Sequence, residues 1–167
     1  MGDKLERIFE FRVLYSKLRD LRVPLTLVEK QRLRRLKQDL ADYVPSVNER
    51  DALTMLAAPL VAKYVVNGRF GAGTLRNASA LGLAVETGDE PPELGRRLML
   101  HLHDLGYGTE YTFPCRVVAR VVKAPASIGL RFEGMPSKTR SAEASRPIWR
   151  ADAFPPEEHS SVTRLPS

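Results

Sequence analysis

The feature that most constrains the fold is a run of six short segments of alternating hydrophobicity that follows Pro59. A period of two is typical of β-strands with one buried face. Turn-forming residues such as Asn67-Gly68 separate the segments, and no helical pattern lies between them. Short connections of this kind favour an antiparallel meander closed as a barrel, because closure removes exposed sheet edges. The predicted strands are 60–66, 71–77, 81–86, 97–104, 111–122 and 128–133.

Two amphipathic helices are predicted ahead of the strands. In the first, from Asp3 to about Leu21, apolar residues recur at spacings of three and four, at Ile8, Phe11, Tyr15 and Leu18. Thr26 and Glu29 then fit a capping box that begins a second helix after Pro24. Pro45 closes this helix, whose apolar stripe is Leu33, Leu36, Leu40 and Tyr43. The two helices would form a hairpin.

The chain is therefore predicted to be mainly β, with an N-terminal α-helical hairpin over residues 1–50 and a barrel over residues 51–136. From Ser137 onward Ser, Pro, Glu and Arg dominate without periodicity. Such a segment buries too little apolar surface to offset its ordering entropy, so residues 137–167 are predicted to be a disordered tail. Trp149 and Phe154 within it either form a short docking motif or have no partner.

Composition narrows the class of protein. No apolar run approaches the roughly 20 residues that cross a bilayer, and the N-terminus lacks the apolar stretch of a signal peptide. We therefore expect a cytoplasmic protein without membrane insertion. The single cysteine, Cys115, has no second thiol with which to pair, so a buried structural thiol is expected. The formal net charge of +6 is compatible with nucleic acid, anionic lipid or an acidic protein as partner.

The strongest charge feature lies in the second predicted helix, at Arg32, Arg34, Arg35 and Lys37. Its ordinary meaning is a solvated helix face. Its functional alternatives are an acidic protein surface and nucleic acid. Protein contact is favoured, because the sequence offers no aromatic-rich strand or recognition helix that would read bases.

No catalytic or metal-binding constellation is visible. The strand near Leu98 puts Leu98, Leu100 and Leu102 on a core face, so His101 and His103 share the opposite face. Two imidazoles at that spacing could bind a metal, but no motif supplies further ligands. We expect no metal, no cofactor and no enzymatic activity.

Residues 77–82, Asn-Ala-Ser-Ala-Leu-Gly, lie between two predicted strands. They resemble the Asx-x-Ser-x-x-Gly signature of PilZ domains, and Gly129 to Gly134 is similar to that family's closing strand. The resemblance covers roughly residues 58–135. It implies a six-stranded bacterial barrel whose usual ligand is cyclic di-GMP, with Arg76, Asn77, Ser79 and Gly82 as candidate ligand-binding residues.

The chain departs from the family just before the first strand, where two arginines separated by three residues are expected. Leu53 and Ala57 stand there, and shifting the register to Arg50 leaves Thr54 at the second position. Two lost charge-assisted hydrogen bonds would cost about 3 to 6 kcal/mol, or about two to four decades of affinity. We therefore expect an adaptor with weak or no cyclic di-GMP binding.

That adaptor would act through protein partners in motility, polarity or second-messenger signalling. A partner would recruit it from the cytoplasm to a cell pole or membrane complex. The alternative is a true cyclic di-GMP receptor in which arginines outside the motif substitute, either Arg76 or the cluster from Arg32 to Lys37, because phosphate recognition needs a guanidinium in place and not a particular sequence origin.

Overall fold

A computed structural model describes residues 2–41 and 60–140 of the 167-residue chain. Within those ranges it contains two helices and seven strands. The helices are α1 (Gly2–Arg19) and α2 (Leu27–Ala41). The strands are β1 (Val61–Val66), β2 (Arg69–Ala78), β3 (Gly82–Thr87), β4 (Arg97–Asp104), β5 (Thr109–Val121), β6 (Ser127–Phe132) and β7 (Ser137–Arg140). All six predicted strands are present, with ends that differ by at most two residues from the prediction.

Six of the strands close into an antiparallel barrel, which confirms the predicted fold class. The predicted meander is wrong, because β4 pairs with β1 instead of β3. Two three-stranded meanders, β1-β2-β3 and β4-β5-β6, join through the β1–β4 and β3–β6 pairings. Short connections explain the pairing within each meander. They carry no information about which outer strands meet when two meanders close.

The barrel interior is the core that alternation predicts. Leu98 is 4% exposed, and Leu100 and Leu102 are fully buried. Their cross-strand partners on β5, Cys115, Phe113 and Tyr111, are buried as well. Burial raises the pKa of the Cys115 thiol to about 12, so this cysteine is the inert structural thiol that the sequence predicts.

The predicted capping box begins α2. The Thr26 backbone N–H donates to Glu29 Oε2 at 2.8 Å, and the Glu29 N–H donates to Thr26 Oγ1 at 3.2 Å. On α2, Leu36 and Leu40 are buried and Leu33 is half-buried, as the predicted stripe requires. Tyr43 of that stripe lies outside the described residues.

The predicted apolar stripe of α1 is only partly correct. Ile8 and Phe11 are buried, whereas Tyr15 and Leu18 are 36% and 40% exposed. Leu5 and Leu14 take the remaining buried positions, with Arg12 and Ser16 buried beside them. The cause is that α1 contacts both α2 and the barrel, so its buried surface is wider than one stripe and displaced from the face that hydrophobicity alone selects.

Helix α1 packs on the barrel and shares its core. The ring of Phe9 lies 5.7 Å from that of Tyr111 and 6.5 Å from that of Phe113. The Ser16 hydroxyl donates to the carbonyl oxygen of Gly134 at 2.8 Å. The barrel and its first helix are therefore one packed unit in the described part of the chain.

The predicted disordered tail does not start at Ser137, because residues 137–140 form strand β7. Residues 137–140 pair antiparallel with β5, from Thr112 opposite Ser137 to Thr109 opposite Arg140. The reason is that β5 is long and pairs with β6 only from Cys115 onward. The edge of β5 that precedes Cys115 is therefore available to β7. Residues 141–167 of the predicted tail lie outside the described residues, as does the segment 42–59. Neither described helix has the length and apolar character needed to cross a membrane.

Candidate functional site

The turn between β2 and β3 carries the motif, and Ser79 closes it. The Ser79 N–H donates to the Gly82 carbonyl oxygen at 2.9 Å. The Ser79 hydroxyl oxygen accepts hydrogen bonds from the N–H groups of Leu81 and Gly82, both at 3.3 Å. The same hydroxyl donates a hydrogen bond to the Gly82 carbonyl oxygen, also at 3.3 Å. Both functions of this hydroxyl are used within the turn, so the serine has a structural role that needs no ligand.

Gly82 is required where β3 approaches β6. A Cβ atom added there would lie 2.0 Å from the carbonyl oxygen of Leu130, which belongs to the facing strand. Gly82 is opposite Arg131 in the β3–β6 ladder. The motif glycine therefore permits the close pairing that helps to close the barrel.

Arg76 lies on the exposed side of β2 and pairs with a carboxylate on β3. Its Nε donates to Glu86 Oε2 at 2.8 Å, and its side chain is 53% exposed. An exposed ion pair of this kind contributes about 0–1 kcal/mol to stability. The guanidinium is therefore held weakly, and a phosphate could displace the carboxylate.

Asn77 is the motif residue that the fold leaves incompletely satisfied. It follows an irregularity of the β2–β3 pairing between Leu75 and Asn77. Its Oδ1 is buried and has no hydrogen-bond partner within the described residues. A buried acceptor without a partner costs about 1–3 kcal/mol, so a water molecule or ligand that donates here would be stabilising.

Asn77 opens on a shallow groove of about 320 Å³ beside the motif turn. The groove also contains the exposed side chain of Arg131. Sequence reasoning missed this arginine, since its position beside the motif depends on the β3–β6 pairing and not on the motif itself. The groove is lined by residues of four strands and the motif turn: Asn77, Ser79, Leu81, Gly82, Leu83, Ala84, Val118, Gly129, Leu130 and Arg131.

The predicted basic cluster of α2 divides into two parts. Arg32 donates to both carboxylate oxygens of Glu10 on α1 at 2.6 Å, and these hydrogen bonds raise the pKa of its guanidinium. Arg32 thus helps to hold α2 on α1. Arg34, Arg35 and Lys37 have exposed side chains. None of the four lines the groove beside the motif, so the structure does not bring the two predicted sites together.

The two histidines of β4 lie on the outer face, as predicted. His101 Nδ1 is 3.2 Å from Glu110 Oε1 and 3.1 Å from Thr112 Oγ1. In residues 2–41 and 60–140 no three His, Cys, Asp or Glu side chains cluster as a metal site would require. Hydrogen bonding within the sheet accounts for the position of this ring.

Comparison with known protein families gives a match over the described barrel. A family model described as the PilZ domain matches residues 48–144, which is more than half of the chain. No curated protein matches, and no solved structure does. The matched range includes the whole barrel, the strand β7 and the segment in which the two arginines were expected.

Proposed function

The chain belongs to the PilZ domain family, and from this premise we propose that it is a non-enzymatic regulatory adaptor that acts through protein partners and has weak or no affinity for cyclic di-GMP. PilZ domains are generally regulatory modules without catalytic activity, and cyclic di-GMP binding is the family's usual role.

One observation carries the proposal: the fold itself uses much of what remains of the ligand motif. Ser79 is committed to its turn and Gly82 to the β3–β6 contact. The sequence before β1 lacks the guanidinium groups of the expected pair of arginines, because Leu53 and Ala57 stand at the two positions in one register and Thr54 follows Arg50 in the other. A doubly anionic dinucleotide depends on such groups, because charge-assisted hydrogen bonds to phosphate are the strong ones.

The exposed part of the basic cluster supports a protein partner. Arg34, Arg35 and Lys37 extend from a helix that is anchored to the barrel through α1, so their charges have a fixed location. Fixed like charges on one helix steer the approach of an acidic surface. We propose that such a partner belongs to a motility, polarity or second-messenger pathway and recruits the protein from the cytoplasm to a pole or membrane complex.

Titration calorimetry with cyclic di-GMP tests the first half of the proposal. We expect no saturation at low micromolar concentration. The sharper test restores the missing groups with the double substitution Leu53→Arg and Ala57→Arg, which should increase affinity by about two to four decades. The matched control, Leu53→Gln with Ala57→Gln, adds polar side chains without charge and should leave the titration flat. Low-micromolar binding by the unmodified protein would refute the proposal.

The second candidate function is that of a genuine cyclic di-GMP receptor, and a specific observation favours it. Arg131 and the unsatisfied Oδ1 of Asn77 line one groove, and Arg76 lies close by on β2. If calorimetry shows binding, Arg131→Ala and Arg76→Ala should each weaken it, and Arg34→Ala with Arg35→Ala should not. Arg69→Ala, an exposed arginine outside this groove, is the control. Binding that survives both the Arg131 and the Arg76 substitution would exclude this version.

A further inference from the structure

A second groove, of about 400 Å³, lies on the outer face of β1 and β4. Its walls are mostly apolar and include Val61 and Val65 of β1, whose neighbours on β4 are His103 and Met99. Its volume falls within the range of about 300–1,000 Å³ found for ligand pockets. Neither the motif nor the basic cluster contributes to it.

The groove exposes large apolar side chains at both ends. Phe70, opposite Val65 in the β1–β2 ladder, is 87% exposed. Leu105, which follows β4 beyond the Val61–His103 pair, is 80% exposed. Burial of such a side chain contributes roughly 1.5–3 kcal/mol, so two of them exposed on one groove indicate that something covers it.

The chain leaves the described barrel close to this groove. Strand β7 ends at Arg140, opposite Thr109, and Thr109 is in turn opposite Asp104, the residue before Leu105. With about 4.8 Å between neighbouring strands, β4 lies about 10 Å from β7 and β1 about 14 Å. The seven residues 141–147 can extend over roughly 23–25 Å. Residue 148 can therefore reach the groove from its Leu105 end.

The composition of the segment after Arg140 matches an apolar groove. Residues 141–147 contain no apolar side chain larger than those of alanine and proline, and Ile148 and Trp149 then follow directly. Arg150 comes next, and because the groove wall carries both Lys63 and Glu110, the match rests on the two apolar side chains and not on charge. A short tether that places an apolar anchor near an apolar site gives an effective concentration in the millimolar range, so even a weak contact is populated.

We propose that the C-terminal segment 141–167 docks on its own barrel, with Ile148 and Trp149 in the groove between Phe70 and Leu105. The interaction is intramolecular and places the segment across the outer face of β4. It stands independently of the proposed function, because none of its residues belongs to the motif or the basic cluster.

Trp149 makes the proposal directly measurable, because it is the single tryptophan of the chain and the whole tryptophan fluorescence reports on its surroundings. In the full-length protein we expect a blue-shifted emission and restricted quenching by acrylamide. Phe70→Ser and Leu105→Ser should each move the emission to that of a solvated indole and increase the quenching constant at least twofold. Leu94→Ser is the matched control, since Leu94 is 63% exposed and lies outside the groove, and it should change neither.

Two further readouts make the outcome decisive. Thermal unfolding followed by far-UV circular dichroism verifies that each exposed-site variant keeps its fold. Dilution from about 100 to about 1 μM should leave the emission unchanged, because an intramolecular contact does not depend on concentration. A solvated emission in the unmodified protein, a buried emission that both groove substitutions leave intact, or a shift on dilution that indicates a second copy would each overturn the proposal.

Discussion

At the scale of single residues, the motif shows how one side chain can serve fold and ligand alike. Asn, Ser and Gly are residues that tight turns favour, so their presence in residues 77–82 predicted a turn whether or not a ligand binds. The structure confirms the turn through the hydrogen bonds of Ser79. It adds a constraint at Gly82 that no local pattern contains, namely the Leu130 carbonyl on a strand 48 positions further along the chain.

Gly82→Ala should therefore destabilise the protein. The new Cβ would lie 2.0 Å from a backbone oxygen, which cannot move without separating β3 from β6. We expect a loss of unfolding free energy of about 1–3 kcal/mol, as for other overpacked sites, measured by urea denaturation. Gly88→Ala is the control, because a Cβ there meets no atom within 4 Å. Equal stability of the two variants would show that the ladder tolerates the methyl group.

Arg12 shows what residue patterns cannot predict. Although it is charged, Arg12 is only 6% exposed, and its Nε has no hydrogen-bond partner within the described residues. Its guanidinium lies 5.4 Å from the ring of Phe132 and 5.0 Å from that of Tyr15, and burial lowers its pKa. Aromatic faces partly replace the lost water. The position depends on the docking of α1, which sequence periodicity does not specify.

At the scale of elements, Glu6 connects helix α1 with strands β5 and β7. On α1 it accepts a hydrogen bond from Tyr111 of β5 at 2.8 Å and forms an ion pair with Lys138 of β7. Burial raises the pKa of this carboxyl, but the hydrogen bonds from Lys138 and Tyr111 outweigh burial and leave the pKa below its ordinary value. The ionised carboxylate thus holds the helix against both strands.

The lowered pKa of Glu6 determines how the stability of the fold changes with pH. Because the pKa of Glu6 is lower in the folded state, its contribution to stability is present above the ordinary pKa of 4.5 and is lost as the pH falls below it. Glu133, whose hydrogen bond with Arg116 lowers its pKa, acts in the same direction. We expect the melting temperature to fall between about pH 5 and pH 3, and Glu6→Gln to reduce that fall. Glu93→Gln, at an exposed carboxylate, should retain the full dependence.

At the scale of the whole molecule, the first helix and the barrel should unfold together. Leu5 and Ile8 of α1 are completely buried in the core that the barrel strands share. Leu5→Ala and Ile8→Ala should each lower the unfolding free energy of the entire domain by about 2–5 kcal/mol. Leu27→Ala on α2, where the side chain is 77% exposed, should have little effect. A barrel transition that keeps its midpoint in the buried-site variants, detected by near-UV circular dichroism, would show that α1 is separate.

The whole molecule also shows which features could be predicted from the sequence and which could not. Periodicity located six strands and two helices because it depends only on neighbouring residues. Closure of the barrel followed from the need to avoid exposed edges. The β1–β4 and β3–β6 pairings, strand β7 and the buried face of α1 all depend on contacts between distant segments. The candidate site divides in the same way: the motif turn was predicted, whereas the presence of Arg131 beside it was not.

The shared carboxylate of Glu6 has a consequence for how this domain could transmit a signal. Residues 6 and 138 lie 132 positions apart in the chain, yet they form one ion pair. A displacement of the last strand therefore acts directly on the first helix, both through this ion pair and through the contact of Lys138 with the ring of Phe9. Any change in binding free energy that this contact carries from one end of the described domain to the other must act equally in the reverse direction.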